Sequence, residues 1–584
     1  MKHTTRVEFR LLPSLAAVAL FAIAAPASHA QEGVTVEPPT SSRSTVDETP
    51  AQRDERMRWW REAKFGLFIH WGVYAVTEGS YGGKDNYGEW IMLQARIPRD
   101  EYRAYARRFN PVRYDPAAWA RMAKRAGMRY VVITSKHHDG FALYPSAVTD
   151  WDMADATPHG GDLLAPLAEA VRAEGLKFGL YYSQAMDWMH PGGAIVNEPW
   201  DPTHEGNFED YLKTIALPQV GELLDRYQPD VLWWDTPKNM SAKLAAPFAE
   251  RLRAQPGILM NDRLGGGYAG DMHTPEQFVP ILPMGRDWET CMTMNWHWGY
   301  NRADQNWKST ETLIRTMAGI CGKGGNFLLN VSPMPDGEWP APAIERLEAI
   351  GRWMDVNGES IHGTTAGPFA YLSWGAATRK DNRLYLHVFH WPANGELRVP
   401  LLSRATSAHL LAAPDKALPL RAETNRVVIQ VPKDAPDAAN SVVVLDLAEP
   451  PHARPLLTLN KQPTTSSTRK DSDARRAVDG SPTTDWYSDV SNTNEEAWLE
   501  IDLGAPTLLS AYGFGEPNVW PRLRQRYAVE VWADSAWTTV AQGDTDGHGK
   551  TGAFEPITAE RARIRLSAGR GNPGLTEFHV FSPE

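Results

Sequence analysis

From Ala51 to about Gly363 the chain alternates short apolar runs with stretches of helical periodicity, the pattern of repeated β-α units around a parallel sheet. The expected strands are Phe65–Ile69, Tyr130–Thr134, Phe178–Tyr182, Val231–Trp234, Ile258–Met260 and Asn326–Asn330. Helical stretches between them include Pro116–Ala126, Leu163–Glu174 and Tyr211–Arg226. The C-terminal ends of these strands are regular too. His70-Trp71-Gly72 comes after the first, Ser135-Lys136-His137-His138-Asp139-Gly140 after the second, and Ser183-Gln184 after the third. Val231–Trp234 ends on Asp235, and Ile258–Met260 on Asn261-Asp262-Arg263. One polar residue after a strand is an ordinary turn or helix cap. Five polar clusters at the C-terminal ends of successive parallel strands point to a single site at the mouth of a barrel.

Side chains alternate along a strand, so Val231, Trp233 and Asp235 share one face while Leu232 and Trp234 take the other. Trp233 is therefore expected to line the pocket beside Asp235, with Trp234 packed outward against helices. Adjacent His137 and His138 would point to opposite sides if extended, so one of them is expected to pack underneath. For the same reason they are poorly placed to converge on a metal, and no metal or other cofactor is expected.

After about Gly363 the pattern changes to short runs rich in Val, Leu and aromatics: Arg383–Trp391, Glu396–Val399, His409–Ala412, Arg426–Val431 and Ser441–Leu447. These predict an antiparallel β-sandwich over 364–450, followed by a Pro-rich linker at 449–455. Residues 457–584 form another strand-rich unit, with expected strands at Ala497–Leu503, Tyr527–Ala533, Thr538–Ala541 and Ala562–Leu566.

Composition narrows the function. Lys plus Arg number 60 and Asp plus Glu 71 in 584 residues, a net charge of −11 with no concentrated basic run, which excludes a general nucleic-acid binder. Lys2, Arg6 and Arg10, the apolar Leu15–Ala25 and the small-residue site Ser28-His29-Ala30 predict a secretory signal over 1–30. A flexible Ser/Thr/Pro/Glu-rich leader is expected over 31–50, ahead of the barrel at 51–363. The apolar core of the signal is shorter than a membrane span of about 20 residues, so no membrane association is expected, and the protein should be exported to the periplasm or medium. Two cysteines, Cys291 and Cys321, are too few for a disulfide framework; buried free thiols are the expectation. Gly322-Lys323-Gly324-Gly325-Asn326 precedes a strand rather than linking a strand to a helix, so it is not a phosphate loop.

Carboxylates, imidazoles, an arginine and tryptophans at one barrel mouth suit glycoside hydrolysis, which needs a carboxylate nucleophile or base, a protonated acid and groups to hold sugar hydroxyls. The motifs Phe65-Gly66-Leu67-Phe68-Ile69-His70-Trp71-Gly72, Lys136-His137-His138-Asp139-Gly140-Phe141, Leu232-Trp233-Trp234-Asp235, Asn261-Asp262-Arg263 and Trp298-Gly299-Tyr300-Asn301, in this order, resemble the α-L-fucosidases of glycoside hydrolase family 29. The resemblance runs from about Trp59 to Gly363 and implies an irregular (β/α) TIM-like barrel and a retaining, two-step release of terminal α-L-fucose from glycans. Motif by motif, it implies Asp235 as nucleophile, with His70, Glu89, Trp90, His137, His138, Trp233 and Arg263 lining the fucose subsite and Trp298 against the sugar's apolar face. For the acid/base it leaves two glutamates: Glu276, favoured, on a loop past Arg263, and Glu289, the alternative, on an expected strand.

The tail motifs Ala477-Val478-Asp479-Gly480, Thr484-Asp485-Trp486 and Trp498-Leu499-Glu500-Ile501-Asp502-Leu503-Gly504 resemble a discoidin-type (coagulation factor type C) β-sandwich, a fold often used to bind carbohydrate. Trp520, Arg522 and Arg524 are its candidate surface contacts. The competing functions are a barrel glycosidase for a related sugar such as α-L-galactose, and a non-catalytic glycan-binding protein.

Overall fold

The computed structural model describes residues 47–584 except 197, 491–494, 520–521 and 570; the signal segment, most of the leader and Trp520 lie outside the described residues. Seven strands form one parallel sheet: β1 (Phe65–Ile69), β2 (Tyr130–Lys136), β3 (Lys177–Tyr182), β4 (Val231–Trp234), β5 (Leu259–Met260), β6 (Glu289–Thr293) and β7 (Asn326–Val331). Their spatial order is β5-β4-β3-β2-β1-β7-β6. The segment Met272–Gln277 runs between the two ends of this order. Asn261 bridges to Met272 on one side, while His273 and Glu276 bridge to Trp288 and Cys291 on the other, all parallel. This irregular rung closes the barrel wall. It escaped the apolar pattern because its sequence, Met-His-Thr-Pro-Glu-Gln, has no alternation and Pro275 offers no N–H to a ladder. Glu276, expected on a loop, therefore sits on the wall itself.

The strands are buried on both faces, as parallel strands flanked by helices must be. Phe68, Tyr130, Val132, Tyr181, Val231, Trp233, Cys291 and Leu328 fill the barrel interior. Phe65, Leu67, Ile69, Val131, Leu232 and Trp234 face the helical layer. Trp234 meets Phe248 edge-on at 5.9 Å, on the helix Ala242–Arg253, so the alternation predicted for β4 is what forms.

The helix Pro50–Ala63 plugs the barrel floor, placing Met57, Trp60 and Ala63 in the interior cluster. Thr49 caps it through a reciprocal capping box with Gln52. Glu48 pairs with Arg56, which also reaches Asp271 at 2.7 Å. The end of the expected flexible leader is thus an anchored helix start, fixed by charges the periodicity does not register. The single helix expected over Tyr211–Arg226 is instead Phe208–Tyr211, a π turn at Leu212–Ala216, and Leu217–Tyr227. Pro218 has no N–H and crowds the preceding turn, which widens to accommodate it.

Beyond the barrel, a six-stranded sheet faces a three-stranded one around Leu384, Leu386, Leu397, Val399, Ile429, Val443 and Leu445. The expected strand His409–Ala412 is corrected: Ala405–Leu410 and Ala413–Ala417 form a hairpin turning at Leu411-Ala412. An all-apolar turn without Gly, Asn or Asp hides within a hydrophobic run. The C-terminal unit is a β-sandwich with the strands Ala497–Gly515, Gln525–Ala533, Ala536–Asp544 and Lys550–Ala568, of which the first and last extend well past the apolar segments that announced them. Cys291 and Cys321 are both free and buried. No described helix is long and apolar enough to cross a membrane.

Candidate active site

Asp235 leaves the C-terminal end of β4 and turns into the barrel mouth. The next residue, Thr236, is β-branched yet held at φ 39°. Left-handed backbone at such a residue costs on the order of 1–3 kcal/mol and collects at functional sites. The Asn261 side chain fixes the strand end, accepting from Trp234 N at 2.8 Å and donating to Trp234 O at 2.9 Å. Asp262 accepts from Thr274 Oγ1 at 3.0 Å and pairs with His273, tying β5 to the irregular rung.

Arg263 then joins two carboxylates. Its Nη1 donates to Asp235 Oδ1 at 2.9 Å and its Nη2 to Glu276 Oε2 at 3.1 Å. Thr274 orients the guanidinium, accepting at its hydroxyl and its carbonyl, both at 3.0 Å. The plane of Arg263 lies over Trp233, 4.8 Å from the ring centroid. The two acids differ in access: the Asp235 side chain is 14% exposed and that of Glu276 35%. Glu276 also accepts from Trp298 Nε1 at 3.2 Å. It too is followed by a left-handed residue, Gln277 at φ 65°.

Around Asp235, Tyr181 Oη donates to Oδ2 at 2.8 Å, and His138 Nε2 stands 3.4 Å from the same oxygen. Burial pushes the Asp235 carboxyl up, but the His138 imidazole, the Arg263 cation and the Tyr181 hydroxyl together hold it well below the usual carboxylate range. Ser183 Oγ donates to Met186 O, so it must accept from His138 Nδ1, 2.6 Å away. That places a proton on Nδ1, so Nε2 stabilises the Asp235 charge as an imidazolium N–H.

His137 and His138 both reach the mouth, with ring centroids 4.2 Å apart; neither packs beneath the other. β2 ends at Lys136, and a turn closed by Gly140 N to His137 O swings both imidazoles inward. Gly140 has φ 73°, and a Cβ there would lie 2.4 Å from Asp187 Oδ1. One donor atom each of His137, His138 and Asp235 lies within 4.8 Å of the others, so this turn brings together a set that a strand would separate. Asp235 is nevertheless already engaged by Arg263 and Tyr181.

Burial lowers His70 to about 4, and its Nδ1 donates to Asn330 Oδ1 at 2.8 Å, which leaves Nε2 as an acceptor. Asn330 is oriented by donating to Trp298 O at 2.9 Å. Burial likewise holds His137 well below its ordinary value, and its Nδ1 has no hydrogen-bond partner among the described residues. Glu89 is buried and raised by that burial, accepting from Gly299 N at 2.8 Å. Trp90 meets His138 edge-on at 5.0 Å, and Trp298 tilts against His70 at 4.9 Å. All the expected subsite residues are therefore gathered at one mouth. Pattern reading missed Tyr181 and Asn330, and placed Gln184 in a strand-end cluster without a role. Tyr181 is marked only by its register with Trp233, which puts it on the inward face. Gln184 accepts from Asp235 N at 3.2 Å and donates to Arg263 O at 2.7 Å.

Glu289 is elsewhere. It opens β6, at the N-terminal end of the strand, and is 1% exposed. It accepts from Tyr130, the first residue of β2, and from Trp233 Nε1 at 3.3 Å. It thus lies beneath Trp233, away from the mouth. Burial raises its pKa from 4.5 to about 7. A carboxyl raised on folding binds more protons folded than unfolded, so its stabilising contribution is full below pH 4.5 and is lost as pH rises through about 7. Glu289→Gln is therefore expected to gain thermal stability relative to wild type between pH 5 and pH 8, read as a rising difference in Tm. A difference that is flat or falls with pH contradicts this assignment.

Known families match two parts of the chain. The α-L-fucosidase family profile matches residues 34–359 and the F5/8 type C domain profile residues 462–578. Tissue α-L-fucosidase of Rattus norvegicus is 31% identical over 392 residues, spanning 61% of this chain and 81% of the relative. α-L-fucosidase isoenzyme 1 from Paenibacillus thiaminolyticus superposes with a TM-score of 0.61 at 35% identity, covering 68% of this chain and all of that one. A family 29 α-L-fucosidase from Bacteroides thetaiotaomicron, trapped as a covalent intermediate with 2-fluoro-fucosyl fluoride, superposes at 0.61 and 28% identity, covering 70% of this chain and 99% of that one. The chain belongs to the α-L-fucosidase family of glycoside hydrolases, with a C-terminal F5/8 type C domain.

Proposed function

We propose that this enzyme releases terminal α-L-fucose from fucosylated glycans with retention of configuration, through a fucosyl-enzyme on Asp235 with Glu276 as acid/base. The observation that carries this is the Arg263 fork, which holds an enclosed, ionised carboxylate and a more open one on adjacent nitrogens. In the first step Asp235 attacks the anomeric carbon as the bond to the leaving oxygen breaks, and Glu276 gives that oxygen its proton. In the second, Glu276 takes a proton from water, which attacks the same carbon and frees Asp235. Neutral His70 and His137 Nδ1, unpartnered among the described residues, suit sugar hydroxyls, while the Trp298 indole covers an apolar face.

Proton NMR of an aryl α-L-fucoside hydrolysis tests the reading. The first sugar signal should be α-fucose. β-fucose appearing first, or turnover of the matching α-L-galactoside alone, overturns it. Residues 1–30 act as an export signal on this account, and protein recovered from periplasm or medium should begin at Gln31. An exported chain that keeps Met1 contradicts that.

A further inference from the structure

The C-terminal domain touches the catalytic machinery. Arg522 Nη2 donates to the backbone carbonyl oxygen of Glu276 at 3.1 Å, across 246 residues of sequence. Its Nη1 lies 2.8 Å from His548 Nδ1. A guanidinium cannot accept, so His548 accepts through Nδ1 and is neutral; burial and the Arg522 cation lower it to about 4. The His548 ring stacks on Phe278, two residues past Glu276, with centroids 4.7 Å apart and planes at 24°. Both sides of the bonded segment Glu276–Phe278 are therefore gripped by one domain.

The gripping loops are themselves fixed. Buried Glu516 accepts from Gln525 Nε2 at 2.8 Å and Thr545 Oγ1 at 2.6 Å through one oxygen, and from Gly549 N at 2.8 Å through the other. Gly547, at φ 92°, lets the His548 loop pass Arg522: a Cβ there would lie 2.7 Å from Arg522 Cβ. Arg524, in contrast, is exposed. The domain is held at this angle by a second contact, where Phe581 stacks on Tyr371 of the middle sandwich at 4.9 Å.

We propose that Arg522 is a positioning residue for Glu276, so that the F5/8 type C domain completes the leaving-group side of the active site rather than serving as a separate glycan anchor. The proposal rests on Glu276 being the acid/base. A carbonyl anchor from Arg522, with Phe278 packed on His548, restrains the Glu276 backbone, while Arg263 and Trp298 orient its carboxylate. Misplacement of a proton donor by about 1 Å can cost on the order of 100-fold. The penalty falls where proton donation matters.

The test compares kcat/KM of Arg522→Met and Glu276→Ala, singly and combined, in the full chain, on an unactivated fucosyl disaccharide and on a dinitrophenyl fucoside. Arg522→Met should lower the disaccharide value about 10- to 100-fold and the activated value far less. In the Glu276→Ala background the Arg522 substitution should have little further effect on the disaccharide, because both act through one proton transfer. Arg522→Lys, which keeps a donor, should recover part of the loss. If Glu276→Ala shows the substrate split and Arg522→Met loses equally on both substrates, or on neither, the positioning role is wrong while the acid/base assignment stands. If Glu276→Ala itself falls equally on both substrates, the acid/base reading fails, and the proposal with it.

Discussion

Asp235→Asn is expected to lower kcat/KM on an aryl α-L-fucoside by about 10⁴-fold or more, the scale seen when a covalent nucleophile is removed. Every contact around this carboxylate stabilises its charge: the Arg263 guanidinium, the Tyr181 hydroxyl and the His138 imidazole. An amide keeps the shape and loses the charge, so Arg263 retains Glu276 as its only carboxylate partner of the two. Some loss of stability should accompany the loss of rate. Circular dichroism and a melting curve separate the two effects, since a folded protein at the assay temperature leaves chemistry as the cause. Azide offers a second readout on Asp235→Gly. It would occupy the vacated side and give the β-fucosyl azide by a single inversion. An Asp235→Asn protein within about tenfold of wild type would remove Asp235 from the mechanism.

Glu276→Ala is the second large effect. Loss of a general acid should cost about 10²- to 10⁴-fold in kcat/KM on substrates whose leaving oxygen needs a proton. A dinitrophenolate leaves unassisted, so the same ratio for that substrate should change little. The fucosyl-enzyme would then accumulate, and azide should rescue turnover to the α-fucosyl azide, with retention, because Asp235 still performs the first inversion. The two variants thus predict azides of opposite configuration. Glu289→Gln should show neither substrate split nor azide rescue. If the split and the rescue track Glu289 instead, the acid/base has been placed on the wrong glutamate.

Much of this site was legible because its residues obey a local rule. Polar clusters at strand ends need only the apolar runs to be located, and β4 shows it well: alternation alone separates Trp233, stacked near parallel to Tyr181 inside the barrel, from Trp234 under the helices. The residues that pattern reading missed or misplaced depend on relations between distant segments. Tyr181 is a strand aromatic like its neighbour Tyr182 until the register with Trp233 is known. His137 and His138 converge because β2 stops at Lys136 and Gly140 closes a turn, a change of path that the strand period does not include. Glu276 stands on a barrel rung with no strand-like sequence, formed by single bridges on either side. Arg522 reads in sequence as a surface cation of a separate domain; only the docked domains place it on the Glu276 carbonyl.

The central claim, a covalent bond between fucose and Asp235, is tested most directly by incubating the wild-type enzyme with 2-deoxy-2-fluoro-α-L-fucosyl fluoride, digesting it, and locating the label by peptide mass spectrometry. The fluorine at C2 slows both steps and the fluoride leaving group restores the first, so the intermediate should persist. One fluorofucosyl group per chain is expected, on the peptide containing Trp233-Trp234-Asp235, with fragment ions placing it on Asp235. A label on any other carboxylate, or time-dependent inactivation without a label on that peptide, would contradict it.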